Sequence, residues 1–149
     1  MRGDFHTHST LDDGKNSLEE MAAAARAAGL THFGFSGHSY CPLEEDYCIP
    51  REKIPEYLAR ARAVQARYAG EMEVFVGLEL DLLGERPEGL DYAIGSVHTI
   101  CGGDGRHFAV DESPETARQC VEEFFGGDWY RYTDAYYDQV ALLPERTGC

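Results

Sequence analysis

The chain has 149 residues, a length that suits one domain with its own hydrophobic core. Acidic residues outnumber basic ones by 27 to 13, and the formal charge of −14 disfavours nucleic acid as a partner because such a surface repels phosphate backbones. No window approaches the roughly 18 apolar residues of a membrane span, and five cysteines without a Cys-x-x-Cys pair favour free thiols, so we expect a cytoplasmic protein with no membrane partner.

The first βα unit is predicted over residues 3–29. The segment GDFHTHS reads as a short strand that ends in polar residues, and LDDGKN has the composition of a loop. Ser17 and Glu20 form a capping box that begins a helix, and Gly29 is a natural residue to end it.

A second unit repeats this layout. THFGFSGHS predicts a strand with Phe33 and Phe35 on one face and His38 just beyond its end. Residues 41–50, CPLEEDYCIP, predict a loop. An amphipathic helix over residues 50–70 should then bury the face formed by Tyr57, Ala61, Val64 and Tyr68.

The remaining elements continue the alternation. MEVFVGLELDLL predicts a buried strand, and LDYAIGSVHTI predicts another that ends at His98. Ser113 and Pro114 begin a helix that Gly126 and Gly127 end, and Asp128 caps a last helix. In that helix the face of Tyr132, Tyr136, Val140 and Leu143, together with Trp129, is expected to lie in the core or to pack between helices.

Alternating strands and helices indicate an α/β fold with a parallel sheet. In such folds the site lies at the carboxyl ends of the strands, since the loops that leave there converge on one face. We therefore expect the ionisable residues near these ends to form one site.

His6 and His8 are the first candidate ligands. In a strand, residues i and i+2 face the same side, so both imidazoles could hold one metal ion while Thr7 points away. Two hydrogen-bonded histidines at a strand end remain the alternative.

The rest of the chain favours the metal hypothesis. Asp13, His38 and His98 follow three of the predicted strands, and Glu79 lies inside an apolar one, where a carboxylate must be paired or metal-bound. A salt bridge is the alternative for Glu79. Mixed imidazole and carboxylate ligands suit Zn, Mn or Fe, and their number suggests two or three divalent ions that could catalyse phosphoester hydrolysis.

These motifs, in order, resemble those of the PHP (polymerase and histidinol phosphatase) family. They are DFHTHSTLDDGKN, FSGHS, VGLELD and DYAIGSVH, and the segment from GGDWYRY to LPERTGC also resembles the family's histidinol-phosphate phosphatases. The resemblance covers essentially the whole chain. It implies that residues 1–149 form a single PHP domain with the fold of a distorted TIM-like (β/α)7 barrel.

The resemblance also implies roles for the ligands. His6 and His8 would bind one metal with Glu79, Asp13 and His38 would bind a second, and Glu79 would bridge to a third that His98 holds, so that Glu79 and His98 act in catalysis through metal. A metal-bridging hydroxide would attack L-histidinol phosphate, a small phosphorylated metabolite, to release histidinol in histidine biosynthesis. Asp12 is a neighbouring candidate for the role of Asp13, which is preferred because it directly precedes Gly14.

Two later motifs of the family, a Gly-His and an Asp-x-His, are absent, since no histidine follows His107. A full barrel takes about 250 residues, so we expect an incomplete barrel that lacks its C-terminal part, with weak or no activity and self-association through its open edge. Arg106, His107 and Lys15 are weak candidates for contacting substrate. A PHP-type nuclease or other phosphoesterase and a non-catalytic metal-binding fragment remain the alternative functions.

Overall fold

The fold is described from a computed structural model that covers residues 2–43 and 46–149. The strands are β1 (Gly3–Asp4), β2 (His32–Phe35), β3 (Glu73–Asp81), β4 (Tyr92–Ser96), β5 (Thr99–Cys101) and β6 (His107–Ala109). The α-helices are α1 (Leu18–Ala27), α2 (Ile54–Arg67), α3 (Pro114–Phe125), α4 (Trp129–Val140) and α5 (Leu143–Thr147), and a 3₁₀ turn (Arg51–Lys53) leads into α2.

Four strands form a parallel sheet in the order β1-β2-β3-β4. Each neighbour in the sheet is also the next parallel strand along the chain, which is the order that a TIM-like barrel requires. The fold is therefore α/β, with an open, curled half-barrel of the TIM-like kind, as the sequence predicts.

The core lies between the sheet and helices α1 and α2. Leu18 and Ala22 of α1 and Tyr57, Ala61 and Val64 of α2 are buried against apolar side chains of β2 and β3. The predicted capping box of Ser17 and Glu20 is present in both directions. The face predicted for residues 50–70 is confirmed, because all four of its members are buried.

Two glycines allow a close approach within the sheet. The side chain of Tyr92 in β4 crosses Gly77 and Gly34, and an added Cβ would lie 2.4 Å from a ring carbon at Gly77 and 2.4 Å from the hydroxyl oxygen at Gly34. The Tyr92 hydroxyl lies 2.7 Å from the carbonyl oxygen of Phe5 and 2.9 Å from that of Phe35. Tyr92 thus connects β4 to the ends of β1 and β2.

The first strand is shorter than predicted, because ladder pairing ends at Asp4. Beyond it, one backbone hydrogen bond from the Ser36 amide to the Thr7 carbonyl is joined by side-chain hydroxyls: the Ser36 hydroxyl accepts from the Thr7 amide at 2.7 Å, and the Thr7 hydroxyl donates to the Gly34 carbonyl. His6 and His8 therefore follow β1 rather than lying within a strand. Their rings nevertheless lie on the same side, with centroids 5.2 Å apart.

The prediction for residues 90–100 was wrong at its end. The strand predicted to end at His98 ends at Ser96, and an antiparallel hairpin of β5 and β6 follows it. The sequence contains a signal for this hairpin, since GGDG separates two short apolar runs.

The boundaries of α3 are confirmed, with Ser113 as N-cap and Gly126 in the left-handed conformation as C-cap. The last helix differs from the prediction, because α4 ends at Val140 and Leu143 begins α5. No residue of α4 is buried: Tyr132, Tyr136 and Val140 are half-buried, and Trp129 is about half exposed. Its aromatic face packs against Phe125 of α3 instead of entering the core.

Candidate metal centre

The six predicted ligands follow or lie within four neighbouring parallel strands. His6, His8 and Asp13 come after β1, His38 comes after β2, Glu79 is near the end of β3, and His98 is two residues beyond β4. An isolated parallel bridge between His38 and Glu79 extends the pairing of β2 and β3 to this edge. The carboxyl ends of parallel strands meet at one edge, and this brings the side chains together.

Glu79 lies at the centre of the cluster, and its side chain is only 5% exposed. Its Oε2 lies 2.9 Å from His6 Nε2, and its Oε1 lies 3.2 Å from His98 Nε2. His8 Nε2 and His38 Nδ1 are each 3.5 Å from Oε2. Four imidazoles thus surround one buried carboxylate.

The cluster divides into three overlapping groups, within each of which the potential ligand atoms lie within 4.8 Å of one another. The groups are His6, His8 and Glu79; His8, Asp13 and His38; and His38, Glu79 and His98. Glu79 belongs to two of them. His8 and His38 also belong to two each, which is broader sharing than the sequence predicts.

Asp12 and Asp13 have different positions. The Asp12 side chain is fully buried; it accepts from the amides of Ser9 and His38 and lies 2.8 Å from His8 Nδ1. Asp13 is 49% exposed, and its Oδ1 lies 3.5 Å from His8 Nδ1 and 3.9 Å from His38 Nε2. Asp13 is therefore the one with a carboxylate oxygen available to the second group.

Asp81 is a residue that sequence reasoning missed. It is buried at the end of β3, its Oδ2 lies 3.2 Å from His98 Nδ1, and its Oδ1 accepts from the Leu83 amide at 2.8 Å. The signal was its position two residues after Glu79, since in a strand such residues face the same side. A second acid on that face should have been expected to approach the same site.

The electrostatics of the cluster hold the Glu79 carboxylate ionised. Burial alone would raise the pKa of Glu79, but the hydrogen bond to His98, the charge of His38 and the hydrogen bond to His6 outweigh it and lower that pKa to about 2. Burial would lower the pKa of His98, but Asp81 and Glu79 raise it to about 10. The hydrogen bond to Asp12 raises the pKa of His8, whereas burial lowers that of His38.

A cavity of about 570 Å³ opens onto the cluster. Its lining includes His38, His98 and Asp13, the ring of Tyr47, and four residues near or in the hairpin: His107, Ala109, Asp111 and Glu112. The predicted substrate contact His107 therefore reaches this cavity. Arg106 does not line it, because its guanidinium pairs with Asp104 at 2.7 Å and Glu123 at 2.6 Å, and Lys15 is exposed elsewhere.

The donor atoms suit divalent transition metals. Imidazole nitrogen and carboxylate oxygen are the ligands that Zn, Fe and Mn share. Groups of three protein ligands leave a coordination position for water or substrate, as catalytic sites require. Among the described residues, none of the three groups includes a cysteine, and Cys41 and Cys48 are buried outside them.

Comparison with known proteins identifies the family and the fold of this chain. A family model described as PHP domain matches residues 4–148. The chain is 33% identical over 152 aligned residues to a probable histidinol-phosphatase of Deinococcus radiodurans, covering 94% of this chain and 54% of that protein. It is also 31% identical over 93 residues to the DNA polymerase/3'-5' exonuclease PolX of Bacillus subtilis, covering 62% of this chain and 15% of the relative.

Two solved structures share the fold. A Listeria monocytogenes protein provisionally described as the histidinol phosphatase hisK superposes with a TM-score of 0.78 at 18% identity, covering 95% of this chain and 60% of that one. Histidinol phosphate phosphatase of Lactococcus lactis, complexed with Zn, L-histidinol and phosphate, gives a TM-score of 0.53 at 24% identity over 79% of this chain and 49% of that one.

The chain thus spans about half the length of the histidinol-phosphatase relatives that it matches. No described helix is long and apolar enough to cross a bilayer. Because the family model extends over nearly all of its residues, this chain belongs to the PHP domain family.

Proposed function

We propose that this chain carries the metal centre of a phosphatase that hydrolyses L-histidinol phosphate to L-histidinol and phosphate. The observation that carries the proposal is the set of three overlapping ligand groups, two of which share the buried carboxylate of Glu79. The likeness to a probable histidinol-phosphatase over 94% of the chain supports the same substrate. The activity would belong to histidine biosynthesis.

The residues would hold two or three divalent ions, Zn, Mn or Fe. His6 and His8 would bind one with Glu79, Asp13 and His38 would bind another, and His98 would hold a third that Glu79 also contacts. Such ions supply an acidified water near neutral pH and positive charge for the phosphate oxygens. No side chain of this chain would act as the nucleophile.

The cavity supports a small cationic leaving group. Asp46, Asp111 and Glu112 line it, and no lysine or arginine is among the described residues that do so. The acidic wall would attract the amine and imidazole of histidinol, while the phosphate would face the metal groups. Histidinol phosphate suits this cavity, since its positively charged histidinol portion would face the acidic residues and its negatively charged phosphate would face the metal groups.

The test is phosphate release from L-histidinol phosphate by the metal-loaded chain, with Glu79→Gln as the variant. We expect weak turnover by the parent. Losing an outer-shell partner of a metal site costs about 10–100-fold, so replacing a shared ligand should lower the rate by about 100-fold or more and reduce the metal bound per chain.

Glu73→Gln is the matched control, because Glu73 begins the same strand at its opposite end and its side chain is 70% exposed. This variant should keep both the rate and the metal content of the parent. Phosphate release that persists in Glu79→Gln, or a metal content that this variant leaves unchanged, would contradict the proposed function.

A PHP-type nuclease is a second candidate, favoured by the 31% identity to PolX. The charge of −14 and the acidic cavity oppose it, since nucleic-acid sites depend on Lys and Arg contacts to phosphates. Cleavage of single-stranded DNA that is abolished by Glu79→Gln and exceeds the phosphatase rate would establish the nuclease instead. Metal binding without any hydrolysis would identify a non-catalytic metal-binding chain.

A further inference from the structure

Two buried aspartates outside the three ligand groups are bonded in the same way. Asp12 Oδ1 accepts from the Ser9 amide at 2.7 Å. Its Oδ2 lies 2.8 Å from His8 Nδ1 and also accepts from the His38 amide at 3.1 Å. Oδ1 is thus bonded to the backbone of Ser9, and Oδ2 contacts both the His8 ring and the backbone of His38, a second candidate ligand.

Asp81, at the end of β3, has a similar pattern, in which the ring and the backbone amide belong to the same histidine. Its Oδ1 accepts from the Leu83 amide at 2.8 Å, and its Oδ2 lies 3.2 Å from the Nδ1 and 3.3 Å from the amide nitrogen of His98. The two aspartates are distant in sequence, yet each contacts the Nδ1 atom of a histidine whose Nε2 atom faces Glu79. The distance from Nε2 to the nearest Glu79 carboxylate oxygen is 3.5 Å for His8 and 3.2 Å for His98.

We propose that Asp12 and Asp81 are positioning residues that commit His8 and His98 to metal binding through Nε2. A carboxylate can only accept a hydrogen bond, so each ring keeps its proton on Nδ1, and Nε2 is the nitrogen that would give up its proton and offer its lone pair when a metal binds. The backbone amides that donate to the two carboxylates fix the orientation of those carboxylates. This inference rests on the metal dependence of the proposed function.

Asparagine at either position should produce the opposite tautomer. The asparagine amide has one acceptor oxygen, whereas a backbone N–H faces each of the two carboxylate oxygens. The nearer N–H, at 2.7 Å for Asp12 and 2.8 Å for Asp81, should keep the oxygen in preference to the farther one, at 3.1 Å and 3.3 Å. The oxygen should therefore stay there, and the NH₂ group would face the ring. Since NH₂ donates, the ring must accept on Nδ1 and carry its proton on Nε2, where it blocks the metal.

Alanine separates this role from a structural one. Asp81→Ala deletes the side chain and leaves His98 free to adopt either tautomer, whereas Asp81→Asn preserves the shape and forces the wrong one. A positioning role therefore predicts that Asn weakens metal binding more than Ala does. A merely structural role predicts the reverse, because Ala removes more packing and more hydrogen bonds.

The experiment measures Zn affinity of the full chain by competition with a chromophoric chelator, for Asp12→Asn, Asp81→Asn and the two alanine variants. We expect a loss of about 10–100-fold for each Asn variant and a smaller loss for the Ala variants. Asp91→Asn is the control, because Asp91 also accepts from a backbone amide, that of Val76 at 2.8 Å, and contacts no histidine. It should leave Zn affinity unchanged.

Two-bond ¹⁵N–¹H spectra of the Zn-loaded, histidine-labelled chain give a readout without turnover. The parent should show His8 and His98 protonated at Nδ1. In Asp81→Asn only His98 should move to Nε2–H, and in Asp12→Asn only His8, so each histidine is a control for the other. An unprotonated Nδ1 in the parent, or Ala variants that bind Zn no better than the Asn variants, would overturn the inference, even if no substrate is hydrolysed.

Discussion

The sheet region and the C-terminal helical region of this chain are stabilised differently. All members of the main core cluster lie between Leu18 and Leu80, and the half-buried residues that pack on it extend only to Ala93. Helices α3 to α5 bury few side chains, among them Cys120, Val121 and Leu143, and α4 buries none. The three candidate ligand groups thus lie at the edge of the well-packed sheet, which suits a site whose ligands need fixed positions.

The largest difference in stability between the regions should appear when a leucine side chain is shortened to alanine. Leu78 is fully buried in β3, so Leu78→Ala should lower the free energy of unfolding by about 2–5 kcal/mol through lost burial and a residual cavity. Leu142, between α4 and α5, is 44% exposed, and Leu142→Ala should cost less than about 0.5 kcal/mol. Urea unfolding of both variants measures this. Equal losses would show that the helical region contributes as much as the sheet.

A smaller effect is expected from filling the space above Gly77. A Cβ there meets the Tyr92 ring at 2.4 Å, so Gly77→Ala should displace the ring and cost about 1–3 kcal/mol. Gly103→Ala, in the turn of the β5–β6 hairpin, is the matched control because nothing lies within 4 Å of its Cβ position. Thermal unfolding compares the two. A Gly77→Ala protein as stable as the control would contradict the close packing of β4 on β3.

The smallest effect should come from Asp91, which joins the start of β4 to α2. Partial burial opposes its ionisation, but hydrogen bonds from Arg62, the Val76 amide and Gln65 outweigh this and lower the pKa of Asp91 below its ordinary value of 3.8. Its stabilisation is therefore present above about pH 4 and is lost as the pH falls through the lower folded pKa. Asp91→Asn should cost about 1 kcal/mol at neutral pH.

Urea unfolding at decreasing pH tests this sign, because the difference between parent and Asp91→Asn should shrink below about pH 4. Glu115→Gln in α3 is the comparison from the helical region. Glu115 lies 3.9 Å from Arg118 in an exposed pair and should contribute almost nothing at any pH. A difference for Asp91 that grows as the pH falls would contradict its lowered pKa.

Much of the sheet region was predictable from local patterns. The capping box at Ser17, the buried face of α2 and the apolar run around Glu79 depend on neighbouring residues, whose periodicity follows from helix and strand geometry. The helical region was predicted less well. Spacing alone cannot tell a tyrosine face that enters a core from one that packs on a single neighbouring helix, as α4 does on α3.

The sequence by itself determined the order of the motifs, the α/β alternation and the candidate ligands, because each histidine or acid follows or lies within an apolar run. Self-association through the open sheet edge stays a prediction. Only the tertiary structure decided that Asp12 faces His8, that Asp81 faces His98, and that His8 and His38 each belong to two ligand groups. The Asp12–His8 contact depends on the fold of the loop after β1. The other contacts join residues that follow or lie within different strands, and their distances depend on how the parallel strands pack side by side.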